Sequence, residues 1–199
     1  MWEERYAKSG DYLFGEQPAQ VLVENPWMID GASTCLCVAD GEGRNSVWLA
    51  GQGLSVTSFD LSPTAVGRAV ELAAKSNVRV EAHVRDWASW DWSQSFDIVV
   101  AIYVQFMSPE QRIKQFETLR QAVRPGGRLV LHGYTPEQIE FGTGGPPTPE
   151  NMYTSKLLSD NFGDWRILRL AAYEREVQEG RGHSGQSALI DLVAEKPIT

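Results

Sequence analysis

No stretch of this 199-residue chain approaches the roughly 20 apolar residues of a membrane-spanning helix. The longest apolar run, Ile98 to Val104, has the length of a strand. The first residues, Met1-Trp2-Glu3-Glu4-Arg5, carry acid where a secretory leader needs an apolar core, so no leader is expected. Cysteine is scarce: Cys35 and Cys37 are the whole supply. On a strand the pair shares one face, and a bridge between them would be strained. Histidine is equally thin, and His83, His132 and His183 are scattered without metal-ligand spacing. Basic residues are outnumbered, 18 Lys and Arg against 26 Asp and Glu, for a net charge of −8. That balance argues against nucleic acid or an anionic membrane as the main partner. The expectation is a reduced, metal-free, cytoplasmic protein, monomer or homodimer.

What is present suits a single globular domain over residues 1–199 with a full core. Hydrophobic residues make up 42% and charged residues 22%, ordinary values that exclude a disordered chain. Short apolar runs alternate with helical periodicity. Strands are predicted over 34–39, 54–60, 78–84, 96–104 and 128–132, with a helix over 44–52 ended by Gly51 and Gly53. Ser62 as N-cap and Pro63 at the first helical position start another helix, whose buried face is expected to be Ala65, Val66, Ala69, Val70 and Ala73. Ser108-Pro109-Glu110-Gln111 is a capping box, opening a helix with the stripe Ile113, Phe116, Leu119 and Val123 that Pro125-Gly126-Gly127 stops. The Gly- and Pro-rich residues 141–149 exclude helix and central strand, and a surface loop or lid is set at 141–150. A short helix near 154–162 follows. Two strand-like stretches, 165–177 and 186–195, form a terminal hairpin around Glu179 to Gly185. The pattern predicts an α/β fold: a Rossmann-like, seven-stranded, mostly parallel sheet, helices on both faces, and an antiparallel C-terminal hairpin.

In such a sheet ligands sit outside the carboxyl ends of the strands, where Asp40-Gly41-Glu42-Gly43-Arg44-Asn45 would lie. Gly41 and Gly43 allow a tight turn and a close backbone approach, although Gly-x-Gly alone also fits a plain turn. Asp60 ends the second strand, where a carboxylate can accept both hydrogen bonds of a ribose diol. Its bland alternative, capping the next helix, is a task Ser62 already suits. Asp86 can accept an adenine amino group and Trp87 can cover the ring, whereas Trp90 and Trp92 read more simply as core filling. The third glycine of a dinucleotide fingerprint is missing, since Ser46 stands there. Tyr153 and Lys156 have the wrong spacing for a short-chain dehydrogenase.

Together these residues resemble the class I S-adenosylmethionine-dependent methyltransferases. Cys37-Val-Ala-Asp-Gly41-Glu-Gly43-Arg-Asn45-Ser is similar to that family's first motif, and its Gly-Arg-Asn-Ser ending to the tellurite-resistance and thiopurine methyltransferase-like branch. Phe59-Asp60-Leu-Ser62, Asp86-Trp87, Ser95 to Tyr103 and Val123 to Leu131 match further motifs in the right order. Trp2-x-x-Arg5-Tyr6 with Tyr12-x-Phe14-Gly15 is similar to that branch's cofactor cap, set at residues 1–30. The sequence departs from the family where Cys37 replaces an acid and Ala39 a glycine.

The resemblance implies S-adenosyl-L-methionine as cofactor. Gly41, Gly43 and Asn45 would line its methionine part. Asp60, with Leu61 and Ser62 beside it, would bind the ribose and flank the adenine, which Asp86 and Trp87 bind. Ile102 and Tyr103 would flank the thioether, and Tyr6 and Phe14 would close over the sulfonium. The acceptor is expected to be a small molecule: a thiol, a metalloid oxyanion or similar. Methyl transfer from a sulfonium is an in-line displacement that needs alignment above all, and a base only for acceptors carrying a firmly held proton. His183, in the glycine-rich turn, is the first candidate base. Tyr103 with Gln105, and His132 with Tyr134, are further acceptor-side candidates, and His132 equally suits a satisfied strand-end residue. Two rival readings stay open: a nicotinamide-dependent oxidoreductase and a non-catalytic cofactor-binding module.

Overall fold

The computed structural model describes residues 2–198. Helices α1 (Trp2–Lys8) and α2 (Gln20–Glu24) and a 3-10 turn (Pro26–Ile29) precede the first strand. Then come β1 (Thr34–Val38), α3 (Arg44–Gly51), β2 (Ser55–Asp60), α4 (Pro63–Lys75), β3 (Val80–Val84), β4 (Phe96–Ile102) and α5 (Pro109–Ala122). The chain ends with β5 (Val123–Tyr134), α6 (Gln138–Phe141), a 3-10 turn (Pro149–Asn151), α7 (Ser155–Phe162), β6 (Arg166–Glu179) and β7 (His183–Glu195). The strands form one seven-stranded sheet in the order β3-β2-β1-β4-β5-β7-β6. The predicted class therefore holds: a mostly parallel sheet carrying an antiparallel terminal hairpin.

The chain divides into two compact units. The first holds residues 2–91 with 179–182. Its strands β1, β2 and β3 pair in parallel, Val38 opposite Phe59 and Asp60 opposite Val84. Ser62 caps α4 as its sequence predicts, accepting from the Ala65 amide at 3.0 Å. The buried face of α4 is Ala65, Val66, Ala69, Leu72 and Ala73. Val70, expected on that face, is 52% exposed, and Leu72 takes its place in a cluster with Val47 and Ala73.

The second unit holds residues 92–178 with 183–198. Strand β4 is buried along its whole length, as its unbroken apolar run requires. It pairs in parallel with β5, and β5 pairs antiparallel with β7. The capping box at Ser108 forms. The stripe of α5 is rotated from the predicted one: Ile113 is 62% exposed, and Val123 belongs to β5. Arg112 and Gln115 are buried in its stead, because their side chains donate to main-chain carbonyls of Glu150 (2.8 Å) and Val104 (3.0 Å). A helix face that meets irregular backbone needs donors there as much as hydrocarbon.

The Pro-Gly-Gly segment does not delay the strand to Arg128. Strand β5 starts at Val123 opposite Phe96, the next pairing joins Ile98 to Arg128, and the intervening residues bulge out. Gly127 permits this, since a Cβ there would lie 2.7 Å from the Asp97 carbonyl oxygen. The hairpin turn is also tighter than predicted, at residues 180–182, so that His183 is already the first residue of β7.

Candidate functional site

In the first unit the chain leaves β1 through Ala39, whose φ of 47° is left-handed. A non-glycine residue in that region is disfavoured by about 1–2 kcal/mol, which explains why the related motif carries glycine there. Gly41 and Gly43 follow at φ 62° and 86°. The turn is tied to β2 by Asp60, which is buried at the end of its strand. Its Oδ2 accepts from the Gly41 amide at 2.9 Å, and its Oδ1 from the Ser62 amide at 2.9 Å. The Leu61 amide also acts on this carboxylate, and of its roughly four lone-pair sites that leaves room for a further donor. Burial raises the Asp60 carboxyl above its ordinary range, against the pull of the Ser62 and Gly41 amides.

Asp40 stands beside it and accepts from the Ser46 hydroxyl. Desolvation pushes the Asp40 carboxyl up to about 7, opposed by that hydroxyl and reinforced by the charge of Asp60. Asn45 is buried, and its Oδ1 accepts from the Ala19 amide at 2.9 Å, which ties this expected ligand-lining residue to the N-terminal segment.

The aromatic residues of that segment cluster. Tyr6 meets Phe14 edge-on at 6.3 Å, and Trp2 lies 6.0 Å from Tyr6. The Tyr6 hydroxyl lies over the glycine turn, where a Cβ on Gly41 would come within 2.7 Å of it. At the adenine positions Leu61 is 50% exposed, a large apolar surface next to Asp60. Asp86 is exposed, and its carboxylate accepts from the Ser89 amide at 2.7 Å. Trp87 is half-buried, edge-on to Phe59, while Trp90 stacks on Phe59 at 4.7 Å as a core residue. Trp92, also expected in the core, is only half-buried.

Three groups of this unit had no reading in the sequence. Glu3, on α1, accepts from the Ser62 and Thr64 hydroxyls at the start of α4, where a carboxylate suits the helix dipole. Glu42 accepts from the Leu13 amide (2.7 Å) and pairs with Arg68 (2.6 Å). Arg44 forms a buried ion pair with Glu179 at 2.8 Å, and Glu179 also accepts from the Gln20 amide.

In the second unit the acceptor-side candidates converge. His132 Nδ1 lies 2.7 Å from Asp191 Oδ1, and its Nε2 lies 3.2 Å from the Tyr103 hydroxyl. His183 stacks on the Tyr103 ring at 4.0 Å, and its Nδ1 lies 2.6 Å from the Tyr134 hydroxyl. His183 is thus a packed strand residue rather than a loop histidine. Gln105 is buried and bridges both main-chain polar groups of Tyr134, donating to its oxygen (2.8 Å) and accepting from its amide (2.6 Å). That leaves it a structural rather than acceptor-facing role. Ile102 is buried at the end of β4. Within 141–150 the Thr143 hydroxyl donates to the Gln186 carbonyl on β7. Among the described residues no acidic, cysteine and histidine cluster could hold a metal ion, and no helix is long and apolar enough to cross a membrane.

Residues 35–127 match a family described as "Methyltransferase domain". A probable S-adenosyl-L-methionine-dependent methyltransferase, TehB of Haemophilus influenzae, is 23% identical over 171 residues, covering 82% of this chain and 57% of its own length. Hemagglutinin 1 of Eikenella corrodens is 25% identical over 168 residues, covering 79% and 52%. The chain spans about half the length of these curated relatives. The crystal structure of TehB from Haemophilus influenzae superposes with a TM-score of 0.71 at 18% identity, over 98% of this chain and 65% of that one. A protein studied in the conversion of a disulfide bond into a thioacetal group during echinomycin biosynthesis superposes with a TM-score of 0.75 at 20% identity, over 92% and 83%. These likenesses show the fold of methyltransferases that use S-adenosylmethionine, and the domain match lies within its first five strands.

Proposed function

We propose that this chain, a methyltransferase domain of the class I S-adenosylmethionine-dependent fold, transfers a methyl group from S-adenosyl-L-methionine to a small-molecule acceptor. The observation that carries the reading is the Asp60 carboxylate held against the Gly41 turn at 2.9 Å with acceptor capacity to spare. A ribose hydroxyl needs such an acceptor, and a glycine turn beside it admits the rest of the molecule. Asp60 would hold the ribose. Leu61, Ser62, Asp86 and Trp87 would stand around the base, Gly41, Gly43 and Asn45 by the methionine part, and Tyr6 and Phe14 by the sulfonium. Ile102 and Tyr103 enter on the family likeness. When bound, the cofactor supplies an electrophilic methyl group and a neutral leaving group, and the protein's share is alignment and exclusion of water. The acceptor is a thiol, a metalloid oxyanion or similar, and the likeness to TehB, a probable S-adenosyl-L-methionine-dependent methyltransferase, supports the methyl donor.

Calorimetric titration with S-adenosylhomocysteine tests this. Wild-type protein should bind, and Asp60→Asn should weaken binding about 10- to 100-fold, the worth of about 1.5–3 kcal/mol for charged hydrogen bonds. Asparagine is the right replacement. Alanine would leave the Gly41 and Ser62 amides both without their acceptor and confuse folding with binding. No heat with wild-type protein, or equal affinity for the variant, would reject the assignment.

Asp40 gives a second expected result. A cationic methionine head placed against this carboxyl favours its ionised form, so binding releases a proton wherever Asp40 is protonated beforehand. With the Asp40 carboxyl at about 7, affinity should fall as pH drops below 7, by up to about tenfold per unit. Titration at pH 6 and 8 in buffers of different ionisation heat reads both affinity and proton release. Asp40→Asn should flatten the dependence.

A further inference from the structure

A buried arginine with no acid beside it asks for an explanation, because a charge taken out of water is ordinarily paired. Arg112, near the start of α5, is 8% exposed. Its Nη1 donates to the main-chain oxygens of Glu150 at 2.8 Å and Met152 at 3.4 Å, while Nε and Nη2 have no partner among the described residues. No carboxylate offsets the cost of burial, which lowers the guanidinium below its ordinary range, and the opposing influence comes from the Tyr153 phenol. Tyr153 is fully buried, directly after Met152 in the chain, and its ring lies 5.9 Å from that of Phe116. Its hydroxyl has no partner among the described residues either. Gln115 is 1% exposed, its amide nitrogen donates to the Val104 oxygen at 3.0 Å, and its Oε1 is a third buried polar atom without a partner. Residues three and four apart are neighbours on a helix, so Arg112, Gln115 and Phe116 share the face of α5 that Tyr153 meets. Every member of this cluster lies within the second unit.

We propose that Arg112, Tyr153 and Gln115 form a binding site for one small oxyanion that carries a proton, of the bicarbonate kind. The three groups define that chemistry between them. The Nε–Nη2 edge of a guanidinium is a planar fork that fits two oxygens of one anion. Tyr153, whose phenol burial keeps protonated, donates to an oxygen of the same ion. Gln115 Oε1 can only accept, so it calls for a hydrogen on the ligand. A neutral molecule would satisfy the phenol and the amide and leave the guanidinium charge uncompensated. Pro149 and Glu150, in the short turn that meets Arg112, are exposed, so the route from solvent is short. Glu150 contributes its main-chain oxygen alone to Arg112, and its carboxylate makes no ion pair there among the described residues. The site is independent of the methyl-transfer reading, since no group of the first unit takes part.

Sodium bicarbonate is the probe, and sodium nitrate, equally planar and equally charged but without a hydrogen, is its match. Urea unfolding of the full chain is followed in mildly alkaline buffer over a range of each salt at fixed ionic strength. Above the dissociation constant, each tenfold rise in bicarbonate should raise the folding equilibrium constant about tenfold, as one ion bound to the native state alone requires. Nitrate should need a concentration about five- to tenfold higher for the same effect, the worth of one hydrogen bond. Arg112→Met should abolish both responses, and subtracting its behaviour removes the general effect of salt. Tyr153→Phe deletes a single oxygen and should move the bicarbonate response to a concentration about tenfold higher. No response in wild-type protein, an equal response in Arg112→Met, or one untouched by Tyr153→Phe would overturn the site and leave the three groups to bound water. Nitrate acting as well as bicarbonate would overturn the selection for an ion that carries a proton. If Arg112→Met does not fold, the comparison of wild type with Tyr153→Phe decides by itself.

Discussion

Gly43→Ala should lower the unfolding free energy by about 2–5 kcal/mol, combining a left-handed backbone penalty of about 1–2 with an overpacking cost of about 1–3. Both arise at one atom. Gly43 has a φ of 86°, and a Cβ there would lie 2.6 Å from Ala69 Cβ and 2.7 Å from Ala69 Cα on α4. Helix α4 cannot retreat cheaply, because Ala65, Ala69 and Ala73 pack it with no side-chain length to spare. Urea unfolding reads the loss as a shift in midpoint. Gly51→Ala is the matched control. Its φ is not positive and a Cβ there meets nothing within 4 Å, so it should hold or slightly raise stability. A loss at Gly51 equal to that at Gly43 would show that α3 tolerates no added methyl anywhere, and that the turn itself is not the constraint.

The second large effect is expected at the ion pair of Arg44 and Glu179. Their side chains are 7% and 5% exposed. Arg44→Ala leaves a buried carboxylate with the Gln20 amide as its remaining donor among the described residues, and breaking such a pair costs about 3–5 kcal/mol. Replacing both residues with methionine should recover most of that, since the desolvation penalty disappears along with the attraction. Unfolding midpoints of the single and double variants decide it. If the double variant is as unstable as Arg44→Ala, packing of the guanidinium stem rather than its charge sets the stability.

These residues also mark where the sequence could be read and where it could not. Ser62-Pro63 and the Ser108 capping box lie within one helical turn of what they bond, so their roles were visible as spacing. The Gly41–Asp60 bond joins the ends of adjacent strands, and the strand–helix–strand pattern alone brings them together. Glu179 reaches Arg44 across more than half the chain, and Glu3 reaches α4 from the N-terminal helix. Nothing periodic announces either. Ile113 misled because an apolar residue at helical spacing looks buried whatever it meets, and the neighbouring backbone instead demanded Arg112 and Gln115. His132 and Asp191 were the missed opportunity. Each is a titratable group set among apolar neighbours in its strand, and the antiparallel β5–β7 pairing places them opposite one another. Two such residues in strands expected to be neighbours are a signal worth testing for contact.

The sulfur pair at the start of the sheet has a practical use. Cys35 and Cys37 are buried on one face of β1 with their sulfurs 4.0 Å apart, and burial together with the neighbouring thiol raises Cys37 well above its ordinary range. Neither is poised to react while β1 is covered. A chemical label that captures them must therefore wait for the middle of the molecule to come apart, so the speed of labelling clocks spontaneous opening of the native fold without any engineered cysteine.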